Sequence, residues 1–181
     1  ASAFLNGAAP GGTGIGGSVN LIPKRAGDTP VTRLTAGFTG PEHIGGSFDI
    51  GRRFGAGGEW GIRINGTARR GDVAIDDEFR SAYVLGAGID YDAGPLRASL
   101  DLAYQRVKVA HFRPKLNLGA VGVIPRAPDA GNNFGQPWQF TTLRDIFGQA
   151  RIEYDIAPGV MLYAAAGARD GAEEGIYSTP T

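Results

Sequence analysis

Cysteine is absent from all 181 residues, which removes a disulfide framework, a thiolate metal site and a thiol nucleophile together. Imidazole is scarce. The two histidines, His43 and His111, lie far apart beside expected loops, so no pair has the spacing of zinc ligands. No apolar run approaches the roughly 20 residues of a transmembrane helix, and Ala1 opens no leader with a basic start and an apolar core. A mature or truncated chain is the expectation. Lys and Arg number 18 against 18 Asp and Glu. That balance gives no basic field for a phosphate backbone, and no Arg/Lys run interleaved with aromatics appears, so nucleic acid is not an expected partner. No serine stands in a G-x-S-x-G elbow, and an enzyme is not expected.

Glycine, by contrast, is abundant at 30 residues, with 11 prolines, and both sit at turns and inside extended stretches rather than in one low-complexity tract. Those stretches alternate with period two. In Leu96–Gln105 the residues Leu96, Ala98, Leu100, Leu102 and Tyr104 share one face, and Arg97, Ser99, Asp101 and Gln105 the other. Trp60, Ile62, Ile64 and Ala68 oppose Arg63, Asn65, Thr67 and Arg69. Ile146, Ala150, Ile152 and Tyr154 oppose Gln149, Arg151, Glu153 and Asp155. Tyr83 to Tyr91 repeats the pattern, Leu34, Ala36 and Phe38 begin a shorter face continued by Phe48 and Ile50, and alanines blur the phase after Leu162.

Seven strands are expected, near 31–40, 45–54, 59–71, 79–92, 96–110, 143–156 and 160–170. Tight Gly/Pro turns at 56–58, 93–95 and 157–159 alternate with longer loops at 40–44, 72–78 and 111–142. One face suits lipid. The other carries more charge than a dry sandwich core holds unpaired, so a wet lumen is the better fit. The fold class read from this pattern is all-β, a partial transmembrane antiparallel barrel in up-and-down order.

Residues 1–26 differ from the rest, being small and glycine-rich before the short extended run Val19–Ile22, which Pro23 closes. Residues 27–30 read as a linker. Gly12-Thr13-Gly14-Ile15-Gly16-Gly17 satisfies G-x-G-x-x-G, but Ala8-Ala9-Pro10 precedes it where a strand belongs and a strand-like run follows it where a helix belongs. Glycines that let a segment turn and pack closely explain it better. Asp76-Asp77-Glu78 is acidic, but without the spaced ligands and turn glycine of a dedicated calcium loop.

Ala3-Phe4-Leu5-Asn6-Gly7, Pro10-Gly11-Gly12 and Gly16-Gly17-Ser18-Val19-Asn20-Leu21-Ile22-Pro23-Lys24-Arg25-Ala26 resemble the end of the plug domain in TonB-dependent siderophore receptors. The matching positions are Gly7, Pro10, Gly11, Gly12, Gly16, Gly17, Asn20, Lys24 and Arg25. The departure is a longer Gly-Thr-Gly-Ile-Gly stretch than the commonest family spacing. The resemblance implies that 1–26 end a plug, 27–30 link, and 31–181 begin a barrel wall. Such walls have about 22 strands, so a piece of a larger protein is expected.

Further implications of the resemblance are uptake of a ferric siderophore across the outer membrane of a Gram-negative bacterium, energy from the TonB-ExbB-ExbD complex, and contact with outer-membrane lipid. Iron would arrive inside the siderophore, so no protein cofactor or metal ligand is implied. Ligand would bind between plug and outer loops. The long 111–142 insertion offers Phe112, Phe134, Trp138 and Phe140 for apolar contact and Arg113 or Arg126 for charge, although aromatics also simply tack loops to a rim. Inner-face Arg33, Arg63, Arg69, Arg97 and Arg151 would hold the plug or attract an anionic chelate, or serve only as ordinary lumen charge. A porin-like passive channel and a soluble β-sandwich with an adhesive role are the competing readings. Both leave residues 1–26 without a purpose.

Overall fold

The computed structural model describes residues 23–39, 42–115 and 126–178. Seven strands form one antiparallel sheet in the order of the sequence: β1 (Val31–Thr39), β2 (His43–Phe54), β3 (Trp60–Asp72), β4 (Phe79–Ala93), β5 (Leu96–Ala110), β6 (Phe140–Ala157) and β7 (Val160–Ile176). The turns at one end are short for reasons legible in their residues. Gly94 takes φ +58 ahead of Pro95, the glycine-first arrangement whose twist suits a two-residue hairpin. At the β6–β7 turn Pro158 precedes Gly159 at φ +79, a type II pattern that splays the strands, and a bulge at Asp155/Ala157 accompanies it.

Register fixes the two faces. Ile64 pairs with Ile50 and Ala87, Ile89 with Ile62 and Leu100, and Ile152 with Ala98 and Ala164. These rows make one continuous apolar face that stays open to solvent in this sheet, with Leu102 53% exposed. On β3, β4, β5 and β6 the apolar positions span 60–68, 83–91, 96–104 and 146–154. Each span is about 26 Å of strand, close to what crossing a bilayer requires. Phe54, Trp60 and Tyr91 pack together at the short-turn end, with ring centroids 6.3 and 4.7 Å apart, as in an interfacial aromatic girdle. Ala26, at 5% exposure, is the buried apolar residue among those described. No second layer covers the sheet among the described residues, and a sandwich needs two packed inner faces.

Three boundaries differ from the sequence reading by two residues or more. His43 and Ile44 already belong to β2, so the β1–β2 connection is short rather than a long loop. β6 begins at Phe140 rather than 143, and β7 runs to Ile176 rather than 170. These last two extensions pair with each other, Phe140 with Ile176 and Thr142 with Glu174. Cross-strand pairing carries the ladder past the point where apolar alternation stops.

Candidate functional site: a clamped entry segment and an aromatic cleft

On the sheet's other face, acids and bases alternate across neighbouring strands. Arg63 Nε donates to Asp49 Oδ1 at 2.5 Å, Arg53 Nη1 to Asp90 Oδ2 at 2.9 Å, and Arg97 to Glu153 and Asp155 at 2.9 and 2.7 Å. Arg151 Nε also donates to Glu153, at 2.6 Å. Arg33 and Arg69 share this face but make none of these pairs. A low-dielectric core would penalise such a ladder unless every charge were matched. A hydrated lumen carries it at small cost.

The segment before β1 is fastened into that ladder. Lys24 Nζ donates to Asp49 Oδ2 at 3.0 Å. Arg25 grips Asp101 with both terminal nitrogens, Nη2 to Oδ2 at 2.6 Å. The hydrogen bond to Asp101 raises the Arg25 guanidinium above its ordinary value, against the opposing effect of burial. The backbone is held too, since Arg63 Nη1 donates to the Arg25 carbonyl at 3.1 Å and Arg53 Nη1 to the Ala26 carbonyl at 3.0 Å. Gly88 makes the space: a Cβ there would stand 3.0 Å from Arg25 Nη1 and 3.1 Å from Asp101 Oδ1. Lys24 and Arg25 therefore sit against the inner wall. The other signature positions, Gly7, Pro10, Gly11, Gly12, Gly16, Gly17 and Asn20, lie outside the described residues.

At the opposite end the β3–β4 and β5–β6 loops are knitted into one unit. Glu78, 2% exposed, accepts from Arg80 Nε at 2.6 Å and from the Arg113 backbone N–H at 3.1 Å. Asn133 Nδ2 donates to the Asp76 and His111 carbonyls at 2.9 and 2.7 Å. The His111 N–H donates to the carbonyl of Gln139, a residue 1% exposed, at 2.7 Å. The acidic run is thus a loop fastener, and among the described residues no group of His, Asp and Glu has the arrangement of a metal site.

Beside this knot lies an open cleft of about 610 Å³, lined by Arg80, Phe112, Arg113, Lys115 and Phe134 among others. It opens on the lumen face, because Arg80, Val109 and Thr141 in its lining alternate with the outward residues of β4, β5 and β6. Phe112 also packs on Tyr177, with centroids 5.5 Å apart. The lining holds two aromatic rings and three cations, of which Arg80 is paired with Glu78 while Arg113 and Lys115 add positive charge, and that combination suits a partly aromatic anion.

Of the residues singled out in the sequence, Phe112, Arg113 and Phe134 come together here. Arg126 and Trp138 do not line the cleft, and Trp138 is 53% exposed. Phe140 is a wall residue, contrary to its reading as part of the loop. It opposes Ala110 and Ile176 on the outward face, with Lys108 Nζ 5.4 Å from its ring. Arg80 and Lys115 were missed. The parity of Phe79-Arg80-Ser81 signals the inward direction of Arg80, and no comparable signal marks Lys115.

An all-antiparallel wall, apolar on one face and ionic on the other with a chain segment clasped to the ionic side, defines part of a transmembrane β-barrel with an occupied lumen. No protein-family model matches the sequence. The chain is 40% identical over 180 residues to the ferrichrome receptor FcuA of Yersinia enterocolitica, a match covering 99% of this chain and 24% of that protein. Its fold matches BauA, the ferric preacinetobactin receptor from Acinetobacter baumannii, with a TM-score of 0.80 and 33% identity over 84% of this chain and 23% of that one. The chain spans about a quarter of the length of each relative, and over that part it is similar in sequence and fold to siderophore receptors.

Proposed function

We propose that the protein containing this chain takes up a ferric siderophore through the outer membrane of a Gram-negative bacterium, with energy from the TonB-ExbB-ExbD complex. Residues 1–26 end the plug, 27–30 link, and 31–181 begin the barrel. The observation that carries the reading is the clasp of Lys24 and Arg25 onto Asp49 and Asp101, which fastens the segment that resembles a plug end to the inner wall. The cleft of Phe112, Arg113, Phe134, Arg80 and Lys115 forms part of the ligand site. Metal enters inside the chelate, so the protein supplies charge and apolar surface rather than iron ligands. Arg126 and Trp138 contribute only from a loop above the cleft, and Phe140 points outward from the wall, away from the cleft.

The test is uptake of radioiron in cells that depend on the full-length protein, offered as the ferrichrome and preacinetobactin complexes. Saturable uptake of at least one chelate, abolished by a protonophore, is the expected result. Uptake that persists after the protonophore and rises linearly with concentration would establish the porin-like channel instead.

A further inference from the structure

A loop fastener needs only a hydrogen-bond acceptor, yet the β3–β4 loop buries a full carboxylate. The Glu78 side chain is 2% exposed, and taking a charge out of water is costly unless it is paired and hydrogen-bonded. Both of its oxygens are engaged. Oε1 accepts from Arg80 Nε at 2.6 Å with Nη2 at 2.5 Å, and Oε2 accepts from the Arg113 backbone N–H at 3.1 Å. Glu78 thus takes one edge of the Arg80 guanidinium, while the Arg80 side chain stays 50% exposed and lines the cleft.

The backbone beside these contacts is strained in both loops. Asp77, just before Glu78, has φ +59, and His111, just before Phe112, has φ +51. Residues other than glycine rarely take that left-handed conformation and keep it where their surroundings hold it. Asn133 supplies one such hold on the Asp76 and His111 carbonyls, and Glu78 supplies the other by joining Arg80 to Arg113. The charge needs a separate account. Arg80, Arg113, Lys115 and Glu78 are the charged residues of the lining, three cations against one acid. Arg113 Nη1 donates to the Ala130 and Asn132 carbonyls at 2.6 and 3.4 Å, which positions the guanidinium without cancelling its charge. Only Glu78 lowers the positive charge of this lining.

We infer that Glu78 is a specificity-determining residue of the cleft: acting through Arg80, it sets the charge of the aromatic chelate that binds, favouring a neutral or weakly anionic one over a strongly anionic one. The inference rests on the cleft as part of the ligand site. Specificity is a difference of affinities. A buried acid that offsets one of three cations reduces the attraction for each negative charge on a ligand, while the apolar contact with Phe112 and Phe134 is the same for all chelates of one shape.

The experiment titrates the full-length protein in nonionic detergent with two exchange-inert chromium(III) complexes of one core shape, the neutral tris(benzohydroxamate) and the trianionic tris(4-carboxybenzohydroxamate), by calorimetry. The readout is the ratio of their affinities. Loosened loops weaken both complexes alike, so the ratio reports charge. Glu78→Gln should shift it toward the trianion by about tenfold at low salt, and the gain should shrink as salt rises. Arg80→Gln should shift it the other way, and the two substitutions together, which restore the net charge, should return it to near the wild-type value. Glu78→Asp keeps the charge and should keep the ratio, whatever it does to the absolute affinities. An unchanged ratio in Glu78→Gln overturns the inference and leaves Glu78 a fastener. A shift that Arg80→Gln does not reverse overturns the action through Arg80. Should Glu78→Gln fail to insert, Glu78→Met carries the same test, being of similar length and without an amide donor to oppose the Arg113 N–H. Lys115→Gln separates the inference from the reading beneath it. If Lys115→Gln lowers the ratio while Glu78→Gln leaves it alone, the cleft stands as the ligand site and only the role of Glu78 falls. If wild type binds neither complex, or if Lys115→Gln and Arg80→Gln change neither affinity, the cleft falls as a site for aromatic chelates and the inference falls with it.

Discussion

Replacing Asp101 with Asn in the full-length protein tests the clasp with little change of shape. The substitution removes the charge that Arg25 grips while leaving an amide of similar size. Breaking a fully buried ion pair costs about 3–5 kcal/mol, and an exposed pair is worth at most about 1 kcal/mol. Here the Asp101 side chain is 6% exposed and that of Arg25 33%, so the expected cost falls between these limits, at about 1–2 kcal/mol. That corresponds to a rise of about 5–30-fold in the population with residues 23–26 detached from the wall. The readout uses a full-length background freed of other cysteines, to which this chain contributes none. A thiol introduced by Ala26→Cys sits at a position 5% exposed, and its maleimide labelling rate reports detachment when opening is rapid relative to labelling. Labelling should accelerate by that factor in the Asp101→Asn background, while Gly27→Cys, at an exposed position, should label fast in both. An unchanged rate at position 26 would show that the ion pair contributes nothing to docking.

Gly88→Val should reproduce the faster labelling at position 26 with the Arg25–Asp101 pair chemically intact, because its side chain intrudes on both partners. Phe112→Ala with Phe134→Ala should weaken ferric-siderophore affinity at least tenfold, from two lost aromatic contacts of about 1 kcal/mol each. Phe140→Ala, on the outward face, should leave that affinity unchanged by the same ligand titration. Leu100→Arg should cost about 2–4 kcal/mol of stability in lipid vesicles, measured by denaturant-induced unfolding. In the β2–β3 turn, the backbone N–H groups of Glu59 and Gly57 hold the Glu59 carboxylate below its usual range. Because the folded value is depressed, the stabilisation is present above the unfolded carboxylate value near 4.3 and is lost as pH falls through the folded one. Protection of the Gly57 amide from exchange, corrected for intrinsic rate, should fall on acidification and should not respond to pH in Glu59→Gln.

Strand positions were legible wherever apolar residues alternate with polar ones, and ceased to be legible where membrane contact ends. Thr141-Thr142 and Arg169–Glu174 carry polar or small residues on both faces, so β6 and β7 look like loop there until each supplies the other's hydrogen bonds. Phe140 was misread for the same reason, as its aromatic ring gives no parity when its neighbours do not. Lys24 and Arg25 stood out as a signature, but their partners are 25 and 76 residues away, beyond any local pattern. Gly88 looks like an ordinary strand glycine until the arginine that needs its space is in place. The cleft was half legible: Phe112, Arg113 and Phe134 belong to it, while Arg80 and Lys115 join it only once the two loops are knitted together.

Because every strand pairs only with its neighbours in sequence, the wall can assemble as a growing ribbon, each hairpin templating the next on its free edge. Most additions close only a short loop, but β6 must find β5 across residues 111–139. Relative to a two-residue turn, that closure costs about 2 kcal/mol more in chain entropy, a slowing of roughly 30-fold if the whole cost falls on the rate. Growth from the β1 end would therefore pause with β5 as an open edge. An assembly catalyst that holds such edges would be needed longest there, before the loops above the cleft have met.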